Sequence, residues 1–97
     1  MLFTVNKSPL TSDNLKTCLR FAKKGNSVLL YEDGVYGAIP GTKVESVVKE
    51  ALKSIEVFAL KEDLKARGFG EVIDGVKLVD YAGFVGLVEE HNVCPWL

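Results

Sequence analysis

Val28-Leu29-Leu30-Tyr31 is an uninterrupted apolar run, bounded by Ser27 before it and by Glu32-Asp33-Gly34 after it. A strand with one wet face alternates apolar and polar residues. A run with no polar member belongs to a strand covered on both faces, as in parallel sheets flanked by helices. That reading sets the fold class, and the neighbouring segments agree with it. Upstream, Leu2 to Asn6 carries β-branched Thr4 and Val5 and reads as a first strand, closed by Asn6-Lys7-Ser8-Pro9 because Pro9 disfavours helix at Ser8. Between the two strands, Asp13 to Lys24 places Leu15, Cys18, Leu19 and Ala22 at helical spacing, with Thr11, Ser12 and Asp13 offering capping oxygens and Gly25 as a stop.

Downstream, Val35 to Ile39 is a loop or one helical turn, closed by Pro40-Gly41. Thr42-Lys43-Val44-Glu45 fits a capping box, in which Thr42 accepts from the helix and Glu45 reaches back. The stripe Val44, Val47, Val48, Ala51, Leu52 follows it. Ile55 to Leu60 is a third strand. A short helix from Glu62 to Arg67 ends at Gly68, which suits the left-handed C′ position, with Phe69 placed to pack on Leu64. Val76 to Val79 is a fourth strand. Asp80 caps a last helix whose Tyr81, Phe84, Val85 and Val88 are expected to face inward, and His91 to Leu97 is a tail without period.

Strands alternating with helices imply parallel strands joined by right-handed crossovers. The expectation is one α/β domain over residues 1–97, a flavodoxin-like three-layer sandwich with a four-stranded parallel sheet in the order 2-1-3-4. Ligands in such sheets sit beyond the carboxyl ends of the strands. Here that edge gathers Asn6 to Ser12, Asp33 to Tyr36, Lys61 to Asp63 and Asp80 to Tyr81.

Composition narrows the function. The 97 residues are 47% hydrophobic and 26% charged with net charge −1, which excludes a disordered tail, a fibre or a disulfide scaffold. The same charge balance speaks against direct nucleic-acid binding, which needs a concentrated basic footprint. The N-terminus has no cationic stretch followed by an apolar core, and no run approaches the roughly 20 apolar residues of a membrane span, so a cytoplasmic, membrane-free domain is expected. Two cysteines far apart suit a reducing compartment.

Few motifs carry chemistry. The loop after the first strand, Asn6 to Leu10, has no glycine to approach a pyrophosphate, and the glycines at 34, 37 and 41 read as turn residues; no cofactor is expected. His91 is the one histidine and sits after the last helix, so no Ser/His/Asp set is indicated. His91 and Cys94 supply two metal ligands where structural zinc takes four, and no metal site is assigned. Glu32-Asp33, Glu62-Asp63 and Glu89-Glu90 are adjacent pairs, which do not face each other as an acid and a base must. Cys18 is the remaining candidate. On a helical wheel of about 100° per residue it lies about 50° from the centre of the apolar stripe, at the border between core and surface, with Lys16 and Arg20 nearby in sequence. A small buried cysteine is the plainer reading of the same position. The tail Val93-Cys94-Pro95-Trp96-Leu97 is too apolar to be simply solvated; packing on its own sheet and docking on a partner are both open.

Several stretches taken together resemble the DsrH/TusB family of sulfur-relay proteins: Leu2-Phe3-Thr4-Val5-Asn6-Lys7-Ser8-Pro9; Leu30-Tyr31-Glu32-Asp33-Gly34-Val35-Tyr36; Ala59-Leu60-Lys61-Glu62-Asp63-Leu64-Lys65-Ala66-Arg67-Gly68; and Val79-Asp80-Tyr81-Ala82-Gly83-Phe84-Val85. The apolar, Trp-containing terminus fits as well. Phe3 departs from the pattern, since many relatives have histidine there. The resemblance implies a DsrE/DsrF/DsrH-like fold and a small, non-enzymatic subunit of a cytoplasmic complex holding two copies each of three homologous chains. Its partners would be DsrE/TusD-like and DsrF/TusC-like subunits and small sulfur-carrier proteins of the relay. Such complexes accept and pass persulfide sulfur, for 2-thiolation of wobble uridine in tRNA or for dissimilatory sulfur oxidation. In Asn14-Leu15-Lys16-Thr17-Cys18-Leu19, Cys18 coincides with a cysteine of DsrH-type members, which favours that branch and makes Cys18 a candidate secondary persulfide carrier. A purely scaffolding subunit, or a homo-oligomeric binding protein, is the alternative.

Overall fold

The inner strands are mostly apolar and buried on both faces, so helices must cover the sheet. The computed structural model describes residues 1–96. The elements run β1 (Leu2–Val5), α1 (Asn14–Phe21), β2 (Ser27–Leu30), a 3-10 helix (Glu32–Ala38), α2 (Glu45–Ala51), β3 (Glu56–Leu60), α3 (Lys61–Ala66), β4 (Lys77–Val79), α4 (Tyr81–Glu90) and β5 (Val93–Trp96). Leu97, part of the apolar tail above, lies outside the described residues.

The α/β class and parallel sheet are as expected; the strand count and order are not. The sheet has five strands in the order β4-β3-β2-β1-β5, all pairs parallel, in place of four in the order 2-1-3-4. The tail supplies the fifth strand, with Phe3 opposite Cys94 and Val5 opposite Trp96. Pro95 is compatible with this because proline, lacking an N–H, is tolerated on an edge strand. With β5 covering its free side, β1 is interior, as its four buried residues require. β2, equally buried, sits between β1 and β3 and not at an edge.

This order decides where the helices lie. Right-handed crossovers that step β1→β2→β3→β4 in one direction put α1, α2 and α3 on the same face. There Leu15 and Cys18 of α1, Val48 of α2 and Leu64 of α3 share a core with Phe3, Val5, Val28, Leu30, Val57 and Ala59. The return from β4 to β5 crosses the other face, which α4 covers alone, setting Phe84 and Leu87 on Leu2, Leu29 and Phe58. Tyr81, Val85 and Val88, expected inward, are exposed. The helix is apolar on both sides, so its sequence does not say which side meets the sheet.

Most local signals act where the sequence places them. Asp80 caps α4, its Oδ1 accepting from the Gly83 N–H at 2.8 Å. Gly68, at φ 77°, ends α3 in a Schellman turn, with the Phe69 N–H donating to the Leu64 carbonyl at 3.0 Å. The expected capping box does not form: Glu45 Oε1 accepts from the Gly41 N–H at 2.8 Å and not from Thr42, Thr42 Oγ1 is buried without a partner, and α2 begins at Glu45 with Val44 as its N-cap. Helix α1 stops at Phe21, short of Lys24, and the segment after β2 is a full 3-10 helix, not a single turn.

Candidate functional site

Cys18 is placed by α1 and by the strand beneath it. Leu15 and Cys18 point at the sheet and are 1% and 0% exposed, so the border position read from the helical wheel is in fact core. The reason is β5. Cys94 and Trp96 turn to the same face as Phe3, and Trp96 packs edge-on against Phe3 (centroids 5.9 Å apart) and tilted against Phe21 (5.3 Å). Without the fifth strand that flank of α1 would be open. Phe3 is therefore part of the packing around the thiol and offers it no proton acceptor.

Burial sets the chemistry of this sulfur. Desolvation, with the charge of a neighbouring Cys94 thiolate adding to it, pushes the Cys18 thiol up to about 12. At neutral pH Cys18 is a neutral, inert thiol, although the thiolate is the competent nucleophile. Lys16 and Arg20, its sequence neighbours, do not lower it: both are exposed and line a furrow on the outer side of α1. Cys94 is half-buried and free. His91, at the end of α4, is half-buried. Among the described residues no three His, Cys, Asp or Glu side chains converge on a point that could hold a metal ion.

The carboxyl edge of the sheet is knitted together by polar contacts. Arg67 Nε and Nη2 donate to Asp33 Oδ1 at 3.1 and 2.8 Å, and Nη1 donates to the Asp63 carbonyl at 3.1 Å. The bond to Asp33 raises the Arg67 guanidinium above its ordinary value. Asp63 Oδ2 accepts from the Glu32 N–H at 2.6 Å, holding Glu32 at φ 49°, and Glu62 Oε2 accepts from the Tyr81 N–H at 3.3 Å. Gly34 has a role beyond the turn: a Cβ there would lie 2.1 Å from the Val5 carbonyl oxygen, so only glycine lets the 3-10 helix close over the end of β1. The edge thus brings Asp33, Glu62, Asp63 and Tyr81 together as a clasp among the 3-10 helix, α3 and α4. Asn6 Oδ1 is buried at the end of β1 without a partner.

A cavity lies elsewhere, at the seam of α1 and α2. It is a furrow of about 550 Å³ with Leu19, Val47 and Ala51 along its floor and Lys16, Arg20 and Glu50 on its rims. Sequence reasoning missed it. The signal was present in Lys16 and Arg20, two cations one turn apart beside an apolar stripe. Among the described residues no helix is long and apolar enough to cross a membrane.

Comparison with known proteins places this geometry. A family model described as DsrH like protein matches residues 7–94. The chain is similar to protein TusB of Escherichia coli K12, 38% identical over 92 residues and 94% of each chain. It is also similar to protein TusB of Shigella flexneri, 37% identical over 95% of each. In fold it matches the ychN protein of E. coli, with TM-score 0.81, 20% identity and 97% of each chain covered. A protein of unknown function from Methanobacterium thermoautotrophicum matches with TM-score 0.73 and 17% identity, over 97% of this chain and 96% of that one.

Proposed function

The chain belongs to the DsrH-like family, and we propose on that premise that it is a binding subunit of a sulfur-relay complex, whose sulfur is carried on its partners' thiols. The observation that carries the second half is the state of Cys18, which is fully buried and held protonated. A persulfide carrier must meet a donor and an acceptor in turn, and each meeting requires an accessible thiolate. Cys18 offers neither access nor charge in this fold. Its place among Phe3, Leu15 and Val28 is that of a small apolar residue filling the core.

The relay serves 2-thiolation of the tRNA wobble uridine in this reading. Cys18 by itself pointed to the sulfur-oxidation branch, but the TusB relatives align along nearly the whole chain and carry more weight than one cysteine. The partners are DsrE/TusD-like and DsrF/TusC-like chains, and tRNA is handled by other components.

Reconstitution tests the proposal. The chain is co-purified with the homologous subunits of its own source, and persulfide transfer from a loaded donor is followed by intact mass, for wild type and for Cys18→Ser. The expected result is a stable complex that passes sulfur at the same rate with either chain. A variant that assembles normally but slows transfer tenfold makes Cys18 a carrier, and a chain that ignores both homologous subunits ends the subunit reading.

A further inference from the structure

The furrow at the seam of α1 and α2 takes no part in the sulfur chemistry above, and its walls are those of a small-ligand site. Its volume of about 550 Å³ falls within the range of about 300–1,000 Å³ common to such sites. Leu19 of α1 with Val47 and Ala51 of α2 give it an apolar floor, and Ser46 and Ser54 add hydroxyls on the α2 side. The charge on its rims is one-sided. Lys16 and Arg20 stand one turn apart on α1, both exposed, and neither has an acidic partner among the described residues. Like charges at that spacing repel across about 5–6 Å, and an anion lodged between them relieves the repulsion. The carboxylates of α2 do not serve, because each is held within its own helix: Glu45 by Lys49 at 3.4 Å and Glu50 by Lys53 at 3.0 Å.

An apolar floor beside two unpaired cations fits a ligand with an apolar body and one anionic head. A nucleic-acid strand fits poorly, since no side chain lining the furrow is aromatic and bases are held by stacking on aromatic rings. A protein partner fits poorly as well. Ten residues line the furrow, against about 20–30 on each side of a standard protein interface.

We propose that the α1–α2 furrow binds an amphipathic monocarboxylate, its hydrocarbon body along Leu19, Val47 and Ala51 and its carboxylate between Lys16 and Arg20. The planar guanidinium of Arg20 matches the two oxygens of the head, and Lys16 supplies a second, more compact charge. This site stands apart from sulfur relay, so either can fail without the other.

The test is a titration of the full chain with decanoate, followed by amide and methyl NMR, whose spectra also confirm that each variant is folded. Wild type is expected to saturate with a Kd of about 1 mM or tighter, with the shifts centred on Leu19, Val47 and Ala51. Lys16→Gln with Arg20→Gln should weaken binding about tenfold, which is within what two part-exposed ion pairs supply. Decanol, the same body without the charge, should bind wild type about tenfold more weakly than decanoate and should not distinguish wild type from the double variant. Val47→Glu sets a carboxylate in the floor at a side chain outside the core cluster and should abolish decanoate binding. Lys61→Gln, at a cation of α3 outside the furrow, should leave it unchanged. A titration that does not saturate, shifts centred elsewhere, a double variant that binds decanoate as wild type does, or decanol binding as tightly as decanoate overturns the proposal.

Discussion

The sharpest consequence of the fold is that it makes the Cys18 thiol orders of magnitude less reactive than the same thiol in the unfolded chain. At about pH 8 a thiol titrating at about 12 is ionised to about one part in 10⁴, against about one in ten for a thiol titrating at 9.0. A more basic thiolate is also more nucleophilic, and with a Brønsted slope of about 0.45 this returns a factor of about 20. Ionisation alone therefore slows Cys18 by about 50-fold. Burial multiplies that loss, because at 0% exposure Cys18 reacts only when the structure opens. An opening free energy of about 3 kcal/mol contributes a further factor of about 150. The assay is native labelling with an aromatic disulfide reagent at about pH 8, followed by the absorbance of the released aromatic thiolate and assigned by peptide mass. One equivalent should react in wild type, on half-buried Cys94, and the fast phase should vanish in Cys94→Ser. Denaturant should return the second equivalent. If Cys18 labels within tenfold of Cys94 in the native protein, then either the burial or the seal provided by β5 is wrong, and the case against a carrier role falls with it.

Four other outcomes follow from the same contacts. Because the Cys18 thiol titrates higher folded than unfolded, the unfolded chain loses its proton first. Stability is then fully present below about pH 9 and falls as pH rises towards 12; at about pH 10.5 the loss is about 2 kcal/mol, and urea melts of Cys18→Ala should lack it. Trp96→Ala removes the ring that closes on Phe3 and Phe21 and should cost about 3 kcal/mol in the same melts, with Cys18 becoming reactive as the edge strand loosens. Gly34→Ala sets a methyl against the Val5 carbonyl and should cost about 2 kcal/mol or more, whereas Gly86→Ala, with nothing within 4 Å, should be neutral or slightly stabilising. Asp33→Asn should shift stability by less than about 1 kcal/mol, and less still at high salt, since Asp33 is 61% exposed where it meets Arg67.

How much of this was legible beforehand follows from which residues carry local information. Asp80, Gly68 and the runs in β1, β2 and β3 announce themselves through a capping oxygen, a left-handed turn and a mostly apolar composition. Strand order has no such local signature. Whether β2 sits beside β1 alone or between β1 and β3 depends on the direction of each crossover, and both arrangements bury Val28-Leu29-Leu30 equally well. The fifth strand was hidden by Pro95, which argues against a strand anywhere but an edge, and by its short length. The full burial of Cys18, the plainer reading of its border position on the wheel, depends on the same strand: the wall that seals it is β5, contributed by residues about 75 positions away. The carboxyl edge was located correctly, yet its charged residues satisfy one another; a sequence shows that Asp33, Asp63 and Arg67 are present but not that they are spent on each other.

Sealing Cys18 and exposing α4 are two results of one topological choice. Stepping the first four strands in a single direction commits α1, α2 and α3 to one face, which buries the thiol under helices and closes its flank with the returning strand. The same choice leaves the second face to α4 alone, and one ten-residue helix does not also bury its own outer side. A chain that spends its thiol on the core while keeping Tyr81, Val85 and Val88 outward is poorly arranged for independent sulfur chemistry. It is well arranged for contact with other protein surfaces. Moving α4 to the helix-rich face would cover those three residues, but it would strip Leu2, Leu29 and Phe58, so the exposed stripe is a consequence of the fold and not an accident of composition.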